Sequence, residues 1–398
     1  MSLFEQMKLM PSDPILGLAH SFKEDERAAK INLGVGVYRT EELNPPYLES
    51  VKRAGRQVIS KEKDKEYLPI AGHAGYLNVL GELVFGKRAE ALLSGRIAAV
   101  QTLGGTGALR LSADLIKKEL ADTVFLSNPT WANHAPLYEE VGFKVSNYPY
   151  YDAKGHSLKF EEMSAALRAV PRGSALLLQT CCHNPTGVDL SEEQWKELST
   201  IVKEGGLLPI FDAAYLGFNR GFEEDAGPIR YFVDEGHECF VCVSLSKNFG
   251  LYKERVGALF VVCSDSAGKE RVLSQLQLRV RRNYSNPPAY GALVAYEILR
   301  TPELKDLWSS ELDGMRKRIV EMRIAFAAAL ASKIGGKHNY QYLIRQSGMF
   351  SFCGLNPDEV LRLRSDFGIY MPSSGRINIA GLSRTNIDDV AEAIASVI

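Results

Sequence analysis

Short apolar runs recur across the middle of this chain, at residues 97–103, 123–127, 174–179, 207–212 and 239–243, and each gives way to a turn rich in polar residues, proline or glycine. Such runs read as buried strands. Between them lie segments of helical period. One follows residue 104 with an apolar face of Leu109, Leu115, Ile116 and Leu120, and another follows residue 191 with Trp195, Leu198, Ile201 and Val202. Ser191 and Gln194 supply a capping box for the second. Thr301 and Pro302 predict the cap and first position of a long helix stopped at Gly335-Gly336. Strands alternating with helices predict an α/β fold around a mostly parallel sheet, with functional residues at the strand ends.

Composition narrows the function. With 398 residues, 45% of them hydrophobic, the chain can fill a large core and more than one domain. Lys+Arg 47 against Asp+Glu 48 leaves a net charge of -1, so no basic field points to nucleic acid. Residues 1–10 hold no sustained apolar stretch, and no later run approaches the roughly 18 apolar residues of a membrane span. A cytoplasmic enzyme with small-molecule substrates is the expectation. The six cysteines do not suggest a disulfide scaffold in a chain this long. Cys239 and Cys242 form a lone C-x-x-C inside an apolar run and read as core. Cys181-Cys182-His183 reads as successive strand positions, which face alternately and do not converge on a metal. No metal site is expected.

The chemistry collects where the apolar runs stop. After 239–243 comes Ser244-Leu245-Ser246-Lys247-Asn248-Phe249-Gly250-Leu251, followed by Arg255-Val256-Gly257. Lys247 is either a solvated turn charge or an amine beside an anion site, since Ser244, Ser246 and Arg255 can bind phosphate. An amine so placed can hold a phosphorylated aldehyde as a Schiff base. Gly104-Gly105-Thr106-Gly107 joins a strand to a helix. It is either a tight turn or a phosphate seat built from unpaired N–H groups at a helix N-terminus. Because it is neither a Walker A motif nor G-x-G-x-x-G, ATP and NAD are disfavoured.

Further along, Trp131 follows a turn at a strand's end and is either a core aromatic or a platform for a planar ring. Asn184 opens Asn-Pro-Thr-Gly, which is turn chemistry first, with an amide that can also donate to an anionic oxygen. Asp212 ends an apolar run, where an unpaired carboxylate costs on the order of several kcal/mol. A cationic partner would offset that cost, and Tyr215 follows at a short offset. Gly36 belongs to a lone G-x-G turn. Arg376 is either a surface charge or a fork for a carboxylate. Arg279, Arg281 and Arg282 read as a solvated helix face.

The segment Ser-x-Ser-Lys-Asn-Phe-Gly-Leu-Tyr-x-Glu-Arg-Val-Gly resembles the pyridoxal-phosphate lysine segment of class I aminotransferases, in the aspartate and aromatic amino acid branch. The likeness runs from Asp13-Pro14-Ile15-Leu16-Gly17-Leu18 to Gly375-Arg376-Ile377-Asn378-Ile379-Ala380-Gly381. It implies a fold-type I enzyme with an arm at 1–12, a small α/β domain from 13–44 and 310–398, and a large domain at 45–309. The large domain's sheet would carry helices on both faces.

The resemblance also implies pyridoxal 5'-phosphate as cofactor, joined to Lys247. Gly105, Thr106, Ser244, Ser246 and Arg255 would surround its phosphate. Trp131 would stack on the ring, Asp212 would face the ring nitrogen, and Asn184 and Tyr215 would reach the phenolic oxygen. Gly36, Trp131, Asn184, Phe350 and Arg376 are implied as substrate contacts, with Arg376 at the α-carboxylate. Arg281, at a substrate's second carboxylate, and Tyr67, at the phosphate, would act across the interface of a homodimer. Lys247, once released, would serve as general base in a reversible ping-pong transfer from L-aspartate to 2-oxoglutarate. Aromatic and broad-range aminotransferases share these motifs and stay open as alternatives. A non-catalytic pyridoxal-phosphate sensor would need a DNA-reading module for which the chain has no spare length.

Overall fold

Apolar residues that cannot be solvated on either side of a strand force a sheet into the middle of the molecule, and that sheet organises the computed structural model. The model describes residues 2–10, 16–335 and 339–398. Residues 1, 11 and 12 of the expected arm, Asp13-Pro14-Ile15 and Gly336 lie outside the described residues.

The seven strands of the main sheet are β1 (Ile97–Leu103), β2 (Thr123–Asn128), β3 (Lys144–Pro149), β4 (Ala175–Gln179), β5 (Leu208–Ala213), β6 (Cys239–Ser244) and β7 (Val256–Val262). Their order is β1-β7-β6-β5-β4-β2-β3. β7 runs antiparallel to both of its neighbours, and the remaining pairings are parallel. Burial on both faces explains the unbroken apolar runs of β4, β6 and β7. Along β6, Val241 and Val243 enter one core cluster while Phe240 and Cys242 enter the other. The Gly104–Glu119 and Ser266–Asn283 helices contribute to the second cluster; Glu192–Gly205, Ala74–Phe85 and Tyr290–Arg300 contribute to the first. The expected α/β class with a mostly parallel sheet is what forms.

Some local expectations need correction. β3 and β7 were not anticipated. β3 is an edge strand with exposed positions and no clean apolar run, and β7 begins inside the lysine motif. Leu120 follows the end of the Gly104–Glu119 helix and is 57% exposed, so it leaves the apolar face that Leu109, Leu115 and Ile116 do form. The Ser191–Gln194 capping box is present, but Thr301 caps the Pro302–Ile334 helix without a side-chain hydrogen bond.

That helix has 33 residues. Early in its course Trp308 stacks on Phe249 with centroids 4.4 Å apart, and it also packs against the C-terminal helix Ile387–Val397. One small pairing ties the chain's beginning to its end, and a second closes within the C-terminal part. Ile31–Asn32 runs parallel to Ile369–Tyr370, and Phe350–Phe352 runs antiparallel to Arg376–Asn378. Of residues 31–38 only Ile31–Asn32 is a strand. Beyond it, Asn378 holds the backbone by donating to the carbonyls of Val35 and Val37 at 2.8 and 2.9 Å. Among the described residues no helix is long and apolar enough to cross a membrane.

Candidate active site

Parallel strands end on one edge of a sheet, and the inverted β7 begins on that same edge. This inversion brings in Arg255, one residue ahead of β7. The register pairs Val256 with Leu103 and Gly257 with Ser244, so the arginine lies beside the ends of β1 and β6. A cavity of about 310 Å³ opens at this edge. Every candidate residue except Tyr67 and Arg281 lines it.

One end of the cavity is built for an anion. The Gly104–Glu119 helix starts directly on β1 and has no side-chain cap, which leaves first-turn N–H groups for a ligand. A Cβ on Gly105 would stand 2.9 Å from the Cβ of Ser244, so glycine lets the helix start close against β6. Ser244 donates to the Ser246 hydroxyl at 3.2 Å, and Arg255 Nη1 donates to the same Ser246 oxygen at 3.3 Å. Thr106 lines the cavity beside them. Arg255 has φ 53, a left-handed backbone that costs a non-glycine residue roughly 1–2 kcal/mol. Such strain is concentrated at functional sites.

Lys247 projects into the middle, its Nζ 4.7 Å from the centroid of the Tyr215 ring. Burial pushes the amine down to about 8; the Asp212 carboxylate opposes that shift and the Arg255 charge adds to it. The proton is therefore lost in the range where ordinary lysines keep it. Labelling of the cofactor-free protein with an amine-selective reagent, read at the Lys247 peptide by mass spectrometry, should rise with pH around a midpoint of about 8. A midpoint at the ordinary lysine value would contradict this environment. Burial raises the Tyr215 phenol above its usual range, so it stays a hydrogen-bond donor at neutral pH.

Asp212, only 8% exposed, lies at the end of β5. Its Oδ2 is 3.1 Å from His134 Nε2, and His134 Nδ1 is 2.7 Å from the Thr130 hydroxyl. An ionised carboxylate only accepts, which assigns a proton to Nε2 of His134. His134 is fully buried and edge-on to Trp131, with centroids 5.2 Å apart, so it orients both the carboxylate and the indole.

At the far end, Arg376 Nη1 donates to Asn184 Oδ1 at 3.1 Å and Nη2 donates to the Gly34 carbonyl. The guanidinium lies 4.3 Å from the Phe350 ring centroid. Burial brings its pKa down to about 10, with Tyr215 acting in the opposite sense. Its Nε is buried without a hydrogen-bond partner among the described residues. A donor left so costs about 1–3 kcal/mol, which a ligand carboxylate would offset. Since Arg376 occupies the Asn184 oxygen, the amide nitrogen is what Asn184 can offer a ligand. Phe350 meets Tyr215 edge-on at 5.9 Å, and a Cβ on Gly36 would come within 3.1 Å of the Phe350 ring.

Sequence reading passed over His134, Gln179 and Tyr252. Gln179 clamps Asn184, donating to its carbonyl at 2.9 Å and accepting from its N–H at 2.8 Å. Tyr252 lines the cavity and accepts from the Tyr38 N–H at 2.9 Å. The only signal for any of the three was adjacency to a strand end or to the lysine motif. Cys181-Cys182-His183 needs a different account from the one expected. It lies in a bend beyond β4, so strand alternation does not apply, and the ring nitrogens of His183 are engaged by Ser127 and Thr186 at 2.9 Å each. Cys239 and Cys242 are buried and unpaired. Tyr67 is 82% exposed, and the exposed Arg281 donates to the Ser285 hydroxyl, so both lie outside this chain's own cavity.

Residues 28–394 match the family described as aminotransferase class I and II. The chain is 46% identical to an aspartate aminotransferase of Pseudomonas aeruginosa over 399 aligned positions, and 45% identical to one of Escherichia coli over 397, with 100% of each chain covered. A crystal structure of an aromatic-amino-acid aminotransferase from Burkholderia pseudomallei, covalently bound to pyridoxal phosphate, superimposes with a TM-score of 0.96 at 43% identity, covering 100% of both chains. The aspartate aminotransferase of Saccharomyces cerevisiae cytoplasm does so with a TM-score of 0.96 at 38% identity, covering 99% of this chain and 98% of that one. A family match across residues 28–394, with relatives 45–46% identical over the full length, makes this chain a member of the class I and II aminotransferases.

Proposed function

We propose that the chain transfers the amino group of L-aspartate to 2-oxoglutarate, giving oxaloacetate and L-glutamate, with pyridoxal 5'-phosphate as cofactor. The observation carrying this reading is Lys247, an amine that burial brings down to about 8, in one cavity with an anion seat and the buried carboxylate of Asp212. The donor set fits the group. N–H groups at Gly105 and Thr106, the hydroxyls of Thr106, Ser244 and Ser246, and the Arg255 guanidinium suit a phosphate, and Lys247 suits an aldehyde. Trp131 offers a face to an aromatic ring, Asp212 suits a protonated ring nitrogen, and Tyr215 and Asn184 suit a ring oxygen. Once bound, the cofactor supplies an electron sink that acidifies the α-hydrogen of an amino acid.

This chain's residues do the remainder. Arg376 and Asn184 take the α-carboxylate and fix the α-carbon, and Phe350 closes the apolar side of that fork. The Lys247 amine removes the α-proton, a role suited to a base whose pKa lies near the working pH. Asp212, ordered by His134, keeps a negative charge where the ring nitrogen holds its proton. Two substrates of one chemical type use the same contacts in turn, hence ping-pong kinetics.

Tyr67 and Arg281 complete the site from a second copy in this reading, Tyr67 at the phosphate and Arg281 at the substrate's distal carboxylate. Leu3, Phe4, Met7, Leu9 and Met10 are exposed on the N-terminal arm, apolar surface that a second copy would cover. A small domain from 13–44 and 310–398 packed on a large one at 45–309 belongs to the same proposal. So does a cytoplasmic location, which suits the unpaired state of the chain's cysteines.

The test is kcat/KM for aspartate, glutamate, tyrosine and phenylalanine with 2-oxoglutarate. The two diacids should lead. Arg281→Ala should cost them about 10- to 150-fold, the equivalent of one charged hydrogen-bonded contact, and leave phenylalanine nearly unchanged. Equal losses for aspartate and phenylalanine would remove Arg281 from the site. The Burkholderia structure favours a second reading, a broad-range or aromatic enzyme. Tyrosine and phenylalanine running level with aspartate in the parent protein would select it.

A further inference from the structure

Behind the carboxylate fork, in the middle of the Pro302–Ile334 helix, Arg323 is 1% exposed and among the largest fully buried side chains. A buried guanidinium normally faces a carboxylate. This one is spent on a loop. Nη1 donates to the Leu343 carbonyl at 2.9 Å and the Ser351 hydroxyl at 2.7 Å. Nη2 donates to the carbonyls of Ser347, Gly348 and Phe350 at 2.9, 2.8 and 2.7 Å, and Nε reaches Gly348 at 3.3 Å. All of its N–H-bearing nitrogens therefore go to one segment, residues 343–351. Burial draws its pKa down to about 10, which is still far above neutrality, so the cation persists.

What the loop carries gives the contact its meaning. Phe350 supplies the ring under the Arg376 guanidinium, and its strand pairs with the one that begins at Arg376. The same loop touches the Asn184 turn. Ser347 N–H donates to the Gly187 carbonyl at 2.8 Å, and the Ser347 hydroxyl donates to Asp189. Asp189 in turn accepts from the N–H groups of Cys182 and His183 at 2.7 and 2.9 Å. Gly187 has φ 69, and a Cβ there would fall 2.4 Å from the Phe350 carbonyl and 3.2 Å from Arg323 Nη2. The turn bearing Asn184 and the strand bearing Arg376 thus meet on the loop that this one arginine holds.

We infer that Arg323 is a positioning residue for carboxylate recognition, holding residues 347–351 so that the Asn184 turn and the Arg376 fork keep the spacing a carboxylate requires. The inference rests on the reading of Arg376 and Asn184 as the carboxylate site. It adds a residue that touches neither substrate nor cofactor. Lysine cannot replace it, because three donors on a point charge cannot serve five acceptors spread along a loop.

The experiment uses cofactor-loaded protein and succinate, a dicarboxylate with no amino or oxo group to react, with affinity measured by titration calorimetry. Arg323→Lys should retain cofactor, checked by absorbance, and weaken succinate by about tenfold or more, the scale of one charged hydrogen bond. KM for the amino acid and the oxo acid should rise in step with that loss, while kcat moves far less. Arg323→Lys that binds succinate as the parent does, or that loses cofactor and succinate together, overturns the inference. Should that variant not fold, Ser351→Ala removes one acceptor and no charge. A loss of about threefold or more in succinate affinity is then expected, and an unchanged value overturns the inference. Arg376→Ala is the control for the underlying reading. If it retains succinate affinity, the carboxylate site itself is misassigned and the role of Arg323 falls with it.

Discussion

Alanine at position 247 stops turnover while cofactor still binds. The expected loss in kcat is on the order of 10⁴-fold or more, the upper range of a single proton-transfer contribution, because the variant has no amine near the α-carbon. Water is a poor substitute. In the parent protein the amine at about 8 is neutral in about a tenth of molecules at pH 7, against about one in three thousand for an unperturbed lysine. The noncovalent seat does not depend on Lys247. First-turn N–H groups, Ser244, Ser246 and Arg255 stay where the sheet register puts them. Lys247→Ala should therefore take up pyridoxal phosphate reversibly, show no borohydride-fixed adduct at that position, and give no measurable steady-state transamination. Normal turnover by a sequence-verified variant would sink the assignment, whatever its spectrum.

Much of this was legible because an apolar run announces both a strand and the place where it stops. β1 is bounded by Arg96 and Gly104 and was readable to the residue, and Lys247, Asp212 and Asn184 are each found within a few positions of such a stop. Reading failed where neighbours in space, and not in sequence, decide the outcome. β3 is an edge strand whose exposed side chains carry no strand signature. His134 follows β2, whereas its partner Asp212 lies one residue before the end of β5, two strands away in the sheet, and no spacing in the chain encodes that meeting. Arg323 is harder still, since a helical arginine reads as solvated until the loop it holds has folded around it. Tyr67 and Arg281 were nameable only through the family likeness, because neither lines this chain's own cavity.

Exchange of Asp212 for asparagine tests the other end of the cavity, and the size of the loss follows from burial. The two side chains have nearly the same shape, and the amide can keep a hydrogen bond to His134 if its oxygen faces Nε2. What disappears is a negative charge that is 8% exposed and so little screened by water. Removing one partner of a buried charge pair costs about 3–5 kcal/mol, equivalent to about 10²- to 10⁴-fold in kcat/KM for both half-reactions. Stability should change little. Without cofactor the carboxylate keeps its hydrogen bond to His134 and the attraction of the Lys247 charge, so taking its charge away trades a desolvation cost against a lost attraction and the cofactor-free variant should melt close to the parent. An aspartate needed only for structure predicts the reverse pattern, a lower melting temperature with a small kinetic change. Asp212→Glu, which restores the charge one methylene out of place, should recover part of the rate. If asparagine at 212 runs both half-reactions within about tenfold of the parent, the charge is not what the chemistry draws on, and the His134–Asp212 pair is only a packing contact.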